Sequence, residues 1–199
     1  MYQKPKFLIT QSLLSSWLYT YRIEDGYQEF LDALNKKPKQ PTQAMLDGNR
    51  FENVLNSVLD GAIIYSDHEW FQPIGELYLL LIGARQQVKL SRNIEVNGDT
   101  FCVYGVLDYL KAGHIYDTKY SKRYHVGKYL ESPQTPFYFY LVPEAMDFTY
   151  LICDGEYIYK ERYFPDEVEP IERLISNFMA FLDKHNLTET YKTLWKSKF

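Results

Sequence analysis

The clearest candidates for chemistry in this sequence are two aspartates and a lysine that follow one another across a short turn. Asp108 ends the segment Gly-Val-Leu-Asp at 105–108, and Asp117 opens the triplet Asp-Thr-Lys that ends at Lys119. Two neighbouring carboxylates supply the oxygen ligands that Mg²⁺ or Mn²⁺ prefers. A lysine two residues after one of them projects from the same strand face, where it can orient or deprotonate a water and help to neutralise a phosphate in the transition state. The trio predicts metal-assisted hydrolysis of a phosphate ester.

The triplet carries little information alone, because chance produces such triplets in a chain with 26 acidic and 22 basic residues. Its weight comes from context, since it follows the 105–108 segment at hairpin distance. Taken singly, Asp108 is better explained as an acid beside a turn, and Lys119 as a solvated strand end; their placement together favours a functional site.

Other kinds of site are excluded by missing motifs. The sequence has no GxxxxGK[ST] or GxGxxG phosphate loop, no GxSxG elbow and no histidine pair at metal-binding spacing. Its four histidines stand alone, so each is expected at the surface or in the core. Cys102 and Cys153 lie far apart without a CxxC, which excludes a four-thiolate cluster within this chain and disfavours a disulfide scaffold.

Length and composition predict one globular domain. The chain has 199 residues, of which 46% are apolar and 24% charged. Its net charge of −4 means that any nucleic-acid binding must come from a local basic patch. The longest apolar run, 77–82, is too short to span a bilayer, so we expect a soluble intracellular protein without a membrane partner.

The elements that must position the trio follow from hydrophobic spacing. Strands predicted at 101–110 and 114–118, joined by the Ala-Gly turn at 112–113, would bring Asp108 and Asp117 side by side. The whole pattern predicts an α/β sandwich with a mixed sheet. The other predicted elements are helices at 10–21, 27–34, 42–61, 75–85 and 133–143, a strand at 88–96 before an Asn-Gly turn, a hairpin at 148–164, and a long final helix from about 166.

A basic stretch follows the trio immediately. From 118 to 130 the chain has no acid, and its aromatic residues alternate with cations. A DNA-binding surface and a solvated loop explain this stretch about equally well, whereas the lysines at 36, 37 and 39 are best explained as solvated. The residues concerned are Lys119, Lys122, Arg123, His125 and Lys128, with Tyr120, Tyr124 and Tyr129.

Taken in order, these segments resemble the PD-(D/E)xK nuclease superfamily, in its RecB-like and phage λ-exonuclease-like branch. The resemblance covers about 42–165 and implies a restriction-endonuclease-like core: α-β-β-β-α-β, with a mixed central sheet flanked by helices. It also implies N- and C-terminal helical additions at 1–41 and 166–199, within a single domain of 1–199. The matching motifs are Gly48-x-x-Phe51-Glu52, Gly105-x-x-Asp108, Asp117-x-Lys119 and Gln134-x-x-x-Tyr138.

The resemblance also implies roles for individual residues. Asp108 and Asp117 would be metal ligands, with the Thr118 backbone carbonyl as a third and Glu52 binding directly or through water. Lys119 would be the catalytic lysine. The implied cofactor is Mg²⁺ or Mn²⁺, without an iron–sulfur cluster, since the cysteines of the cluster-bearing branches are missing. DNA-binding roles would fall to Gln134 and Tyr138, which would also brace the site, and to Lys122, Arg123 and Lys128.

Three departures from the family pattern stand out. Phe51 occupies a position where many RecB-type members have histidine, so Glu52 fits the λ-exonuclease arrangement better. The second acid is Asp117 rather than glutamate. Pro136 falls inside the glutamine motif, which requires Gln134 to Pro136 to lie in the first turn of the helix. Without the family, Gln134 and Tyr138 are equally explained as a residue beside a helix cap and a core tyrosine.

Together these observations predict a metal-dependent deoxyribonuclease of phage or recombination type. We expect it to work from DNA ends in the cytoplasm of a bacterial or phage-infected cell, with DNA as its partner. λ-exonuclease-like enzymes form rings, so a homo-oligomer is compatible with the resemblance, although nothing in the sequence indicates a ring. Two alternatives stay open: a catalytically weak or inactive DNA-binding or assembly protein on the same fold, and a structural protein whose carboxylates point to different faces.

Overall fold

A six-stranded mixed sheet forms the centre of the molecule, and helices flank it. The computed structural model describes residues 6–198. The mixed α/β class expected from the sequence is therefore confirmed. The strands are β1 (Lys6–Thr10), β2 (Arg85–Val96), β3 (Asp99–Lys111), β4 (His114–Tyr120), β5 (Asp147–Cys153) and β6 (Ile158–Tyr163). The helices are α1 (Gln11–Tyr19), α2 (Gly26–Leu34), α3 (Gln43–Leu59), α4 (Phe71–Leu81), α5 (Gln134–Leu141), α6 (Ile171–Lys184) and α7 (Thr188–Leu194), with a short 3₁₀ turn at Pro165–Glu167.

The long strand β3 organises the sheet. β2 pairs with it along nearly its whole length, so β1 and β4 must share its other edge. β1 runs parallel to residues 100–104, and β4 runs antiparallel to residues 109–111. The sheet continues through β5, parallel to β4, and ends at the antiparallel strand β6. On the edge that β1 and β4 share, residues 105–108 of β3 therefore have no strand partner.

Tight turns fix the register of these strands. Ala112 and Gly113 have φ of 50° and 84°, and Asn97 and Gly98 have φ of 52° and 85°. Two consecutive left-handed residues form the type I′ turn whose twist matches an antiparallel hairpin. A two-residue turn leaves no freedom for slippage, so both predicted hairpins form.

Two hydrophobic clusters cover the two faces of the sheet. The side chains of β5 alternate between them, which makes this fully buried strand the centre of the core. The smaller cluster joins α3 and α4 to Leu151 and Cys153. The larger cluster includes Phe148, Tyr150 and Ile152 with residues of α1, α2, α5, α6 and α7.

The N-terminal segment differs from its prediction. The 1–41 addition was expected to be helical, but Lys6–Thr10 forms β1 before Thr10 caps α1. A five-residue strand has little pattern of its own, and β1 exists because it pairs with a strand about 90 residues later in the chain. Residues 1–5 of that addition lie outside the described part of the chain.

Two helices also differ from their predicted bounds. The helix expected at 75–85 begins at Phe71 and stops at Leu81, because Gly83 takes a φ of 80° and β2 follows. The long final helix is two helices, since Asn186 has a φ of 57° between α6 and α7. In residues 6–198, no helix combines the length and apolar character needed to cross a bilayer.

Candidate active site

Asp108 and Asp117 face each other where β3 and β4 separate. Regular pairing of these strands stops at Tyr109 and Tyr116, and the two aspartates are the next opposed positions. The backbone N–H of Thr118 donates to Asp108 Oδ2 over 3.1 Å, which replaces a strand–strand bond. The N–H and C=O of a strand residue point toward the same neighbour, so the Thr118 carbonyl also faces this gap. The predicted apposition of the two carboxylates is present.

Asp117 is the buried member of the pair, with 2% of its surface exposed. Its Oδ1 accepts a 2.8 Å hydrogen bond from the Gln134 side-chain amide. Its Oδ2 forms an ion pair with the Lys119 ammonium. Among residues 6–198, this oxygen accepts no regular hydrogen bond. The carboxylate is thus held by one amide and faces positive charge with its other oxygen.

Glu52 reaches the same place from α3. Asn56 lies one helical turn after Glu52 on the same helix face, and its Oδ1 accepts a 2.6 Å hydrogen bond from the Tyr109 hydroxyl. Because Tyr109 follows Asp108 directly, this bond holds the Glu52 face of the helix beside β3. Glu52 is close enough to Asp108 for its charge to raise the pKa of that carboxyl.

Sequence reasoning missed Gln87, which completes this wall of the site. Its amide donates to Glu52 Oε1 over 2.9 Å. The register of β2 on β3 places it opposite Asp108. Its φ of 49° lies in the left-handed region, a conformation that costs a non-glycine residue about 1–3 kcal/mol and is concentrated at functional sites. Nothing in a strand sequence marks such a backbone, so no signal could have identified it.

The charges of the site are strongly coupled. Burial raises the pKa of Asp108 well above its usual range, and repulsion from Asp117 adds to this shift. The Lys119 ammonium opposes it but does not cancel it. For Lys119 itself, burial disfavours the charged form, yet attraction to Asp117 and Asp108 outweighs burial and raises its pKa. The site thus places three carboxylates near one lysine, and two of them favour its protonated form.

Helix α5 packs closely on β3 and braces the site. A Cβ on Gly105 would lie 3.0 Å from side-chain atoms of Phe137, Tyr138 and Leu141, so these side chains would have to shift to admit any other residue. The Tyr138 hydroxyl donates to the Val106 carbonyl over 2.9 Å. This explains physically why a glycine stands three residues before Asp108.

Gln134 and Tyr138 were predicted to contact DNA as well as to brace the site. Both are buried, with 7% and 5% of their surfaces exposed. The Gln134 oxygen also accepts a hydrogen bond from Tyr150 over 3.3 Å. Their polar atoms are engaged inside the protein, which agrees with a bracing role, and contact with DNA stays a prediction.

The basic stretch forms a loop at 121–133 that is anchored by a residue the sequence did not reveal. Glu161 of β6 is buried and accepts hydrogen bonds from the Tyr124 hydroxyl at 2.8 Å and the Gly127 N–H at 2.9 Å. Burial, together with the bonded Glu161 carboxylate, raises the pKa of Tyr124 to about 12. A glutamate in an alternating strand gives no sequence signal for such a role.

The three cations predicted to bind DNA differ in exposure and in whether they already have a partner. Lys122 and Arg123 are exposed at the loop surface. Lys128 is partly buried, and its ammonium donates to the Ser121 hydroxyl over 2.5 Å. Lys122 and Arg123 are therefore available to a ligand, whereas Lys128 also stabilises the loop.

The donor set suits a hard divalent cation. Glu52, Asp108 and Asp117 offer carboxylate oxygens, and Thr118 offers its main-chain carbonyl, which are the ligand types of Mg²⁺ and Mn²⁺. A buried Asp117 oxygen that faces only an ammonium fits a position that holds positive charge. Within residues 6–198, no three His, Cys, Asp or Glu side chains are already placed to chelate an ion together.

Two cavities lie near these elements. The larger, about 780 Å³, lies between α3 and the segment 62–68, and none of the site carboxylates lines it. A cleft of about 520 Å³ is lined by Lys119, Gln134 and residues of α1 and the 121–133 loop. The smaller cleft is therefore the one that communicates with the site.

Comparison with known proteins supports the fold alone. No protein-family model matches this sequence, and no curated protein matches it. Among solved structures, that of SSO0001 is similar: the match covers 90% of this chain and 79% of the other, with a TM-score of 0.56 and 18% sequence identity. This likeness extends over nearly the whole chain and agrees with the mixed α/β architecture.

Proposed function

We propose that this protein is a divalent-metal-dependent deoxyribonuclease of the PD-(D/E)xK superfamily, with a restriction-endonuclease-like core. The observation that carries the proposal is the apposition of Asp108 and Asp117 where β3 and β4 part, with Lys119 paired to Asp117. The order α3, β2, β3, β4, α5, β5 agrees with the α-β-β-β-α-β order that the resemblance implies, apart from the additional helix α4.

In this proposal Asp108 and Asp117 hold Mg²⁺ or Mn²⁺, together with Glu52 and the Thr118 carbonyl. Such an ion, when bound, supplies positive charge that polarises the phosphodiester and favours ionisation of water. Gln134 keeps the Asp117 carboxylate in place through Oδ1. Gln87 does the same for Glu52. Asp117 and Glu52 are thereby positioned before substrate binds.

Lys119 acts on the phosphate in this proposal. Its ammonium is paired with the Asp117 carboxylate, so we assign it the role of a cation and hydrogen-bond donor. A preorganised donor aimed at the charge that develops on phosphate oxygens stabilises the transition state more than the substrate. The exposed cations Lys122 and Arg123 would instead contribute binding of the DNA backbone.

A second candidate, a DNA-binding protein with weak or no catalysis, is favoured by one observation. No three potential ligands among residues 6–198 stand ready to chelate an ion. A protein of this kind would keep the basic loop and the cleft but would not need the ion.

One experiment separates the two candidates. Purified protein is incubated with end-labelled linear DNA in Mg²⁺, in Mn²⁺ or in EDTA, and both binding and cleavage are followed. We expect cleavage with either ion and none in EDTA. Binding without cleavage under every ionic condition would replace the first candidate by the second.

A further inference from the structure

The cleft beside Lys119 has a second wall that the proposed site does not use. This wall is α1 and the turn after it, and the opposite wall is the 121–133 loop. Lys119 and Gln134 also line the cleft, so it opens onto the groups that hold Asp117. A volume of about 520 Å³ is within the range of clefts that enclose a ligand segment.

The lining of this cleft suits a polyanion that carries aromatic bases. Among the described residues that line it, Arg22 and Lys128 are cations in addition to Lys119, whose ammonium is already paired with Asp117, and Glu131 is the one acid. Tyr19 lies in the same lining with 48% of its surface exposed. A basic groove with exposed aromatic rings is the arrangement that binds single nucleic-acid strands, because the backbone follows the cations and the bases stack on the rings.

An ion pair crosses the cleft from wall to wall. Arg22 Nη2 lies 2.9 Å from Glu131 Oε2 and also donates to the Glu131 carbonyl over 3.3 Å. The Glu131 side chain is 80% exposed, so the pair is a surface contact of small net strength. A phosphate offers a guanidinium the same paired oxygens as a carboxylate. Glu131 therefore occupies the position that a phosphate would take.

We propose that this cleft binds a single DNA strand, with Arg22 on a phosphate that displaces Glu131 and Tyr19 against a base. The choice of DNA as the ligand rests on the proposed nuclease function. The inference adds that the DNA enters the cleft as a single strand. One Arg–Glu pair spans the distance between the two walls, which favours one strand over a duplex as the occupant. Glu131 competes with the strand until binding displaces it.

The test measures affinity in EDTA, so the result does not depend on cleavage. The probes are a fluorescent oligothymidylate and a duplex of equal length, titrated with the full-length protein at several salt concentrations. Arg22→Gln should weaken oligothymidylate binding about three- to tenfold and reduce the salt slope by about 0.7, the contribution of one phosphate contact on a single strand. Glu131→Gln should tighten binding about two- to fivefold, because it removes the competitor.

A matched control lies at the start of α6. Arg173 and Glu169 form an exposed ion pair at 3.1 Å, away from the cleft, with side chains 68% and 65% exposed. Arg173→Gln and Glu169→Gln make the same changes of charge and should leave oligothymidylate affinity within twofold of wild type. Equal effects in the two pairs would overturn the cleft assignment, as would a preference for duplex over single strand.

The outcome for the cleft is separable from that for the nuclease. If the protein cleaves DNA in Mg²⁺ but Arg22→Gln and Glu131→Gln bind like wild type, the cleft assignment is wrong and the nuclease proposal stands. If binding responds as expected while no ion supports cleavage, the nuclease proposal fails and the cleft stands. Far-ultraviolet circular dichroism confirms that each exposed-site variant is folded.

Discussion

The ionised form of Asp108 is destabilised by the carboxylates around it. Its carboxylate lies beside Asp117 and Glu52, and only Lys119 and the Thr118 N–H favour its ionised form. Across β2, Gln87 takes a left-handed backbone to reach Glu52. Such crowding destabilises the folded protein in the absence of a cation, which is typical of positions kept for chemistry rather than stability.

Asp108→Asn should therefore make the protein more stable at neutral pH while removing cleavage. In the unfolded chain Asp108 ionises near pH 3.9, whereas in the folded protein its pKa is raised well above that value. The contribution of Asp108 to stability is thus fully present below about pH 4 and is lost as pH rises through the folded pKa. Asparagine has no such loss, so we expect a gain of about 1 kcal/mol or more at pH 7.

Chemical denaturation at pH 4 and pH 7, without divalent ions, measures this effect. The two proteins should be closely matched at pH 4, and the variant should exceed wild type at pH 7. A variant that is less stable than wild type at pH 7 would show that Asp108 is favourably placed as an anion and that repulsion is not the dominant effect.

Lys119 and Lys122 should separate catalysis from binding. Lys119→Ala should lower turnover by about 10²–10³-fold, as the loss of one preorganised transition-state donor does, with DNA affinity nearly unchanged. Lys122→Ala or Arg123→Ala should weaken binding and reduce the salt slope by about one each, with turnover at saturating DNA near wild type. Turnover and affinity are measured with Mg²⁺ at several salt concentrations. If Lys119→Ala behaves like Lys122→Ala, this lysine is only part of the basic surface.

At the scale of elements, features that depend on neighbouring residues could be predicted from the sequence, whereas features that depend on long-range contacts could not. The turn at 112–113 is local, so the apposition of Asp108 and Asp117 follows from residue spacing. The anchoring of the 121–133 loop is not local, because Glu161 comes from a strand that begins 25 residues after the loop ends. The strand β1 and the role of Gln87 could not be predicted for the same reason, because their partners are far away in the chain.

Glu161→Ala should release the basic loop without unfolding the sheet. The substitution removes the carboxylate that accepts from the Tyr124 hydroxyl and the Gly127 N–H, and a hydrogen bond to a charged group contributes about 1.5–3 kcal/mol. We expect hydrogen exchange of residues 121–133 to increase at least about tenfold, while β5 keeps its protection. Glu95→Ala, at an exposed position of β2, is the control. Unchanged exchange in the loop would mean that Glu161 does not anchor it.

At the scale of the whole molecule, charge is distributed unevenly around a sheet assembled by distant pairings. The chain has a net charge of −4, yet the cations beside the site are concentrated in the 121–133 loop and the cleft. DNA binding should therefore be local and sensitive to salt. The central sheet with flanking helices could be predicted from spacing and turn residues, whereas the shared edge of β3 could not, since it depends on β1.

The sequence led us to expect that the enzyme works from DNA ends, which requires access to a free end. A cleft that takes one strand should engage a free end more readily than a closed duplex, so linear DNA should be degraded at least about tenfold faster than covalently closed circular DNA. Both substrates are incubated with Mg²⁺ at equal nucleotide concentration, and acid-soluble product is measured. Equal rates would remove the requirement for an end and leave the nuclease proposal intact.

The most direct test of the account compares two buried aspartates of the same sheet. Asp117 is paired with Lys119 in the site, whereas Asp147 lies beside the first residue of β4 and is paired with His114 and Arg162. The measurement is the rate of Mg²⁺-dependent cleavage of linear DNA by wild type, Asp117→Asn and Asp147→Asn, corrected for the fraction folded. We predict that Asp117→Asn loses at least about 100-fold in rate, while Asp147→Asn stays within about tenfold of wild type. A folded Asp117→Asn protein that cleaves at the wild-type rate would contradict the account.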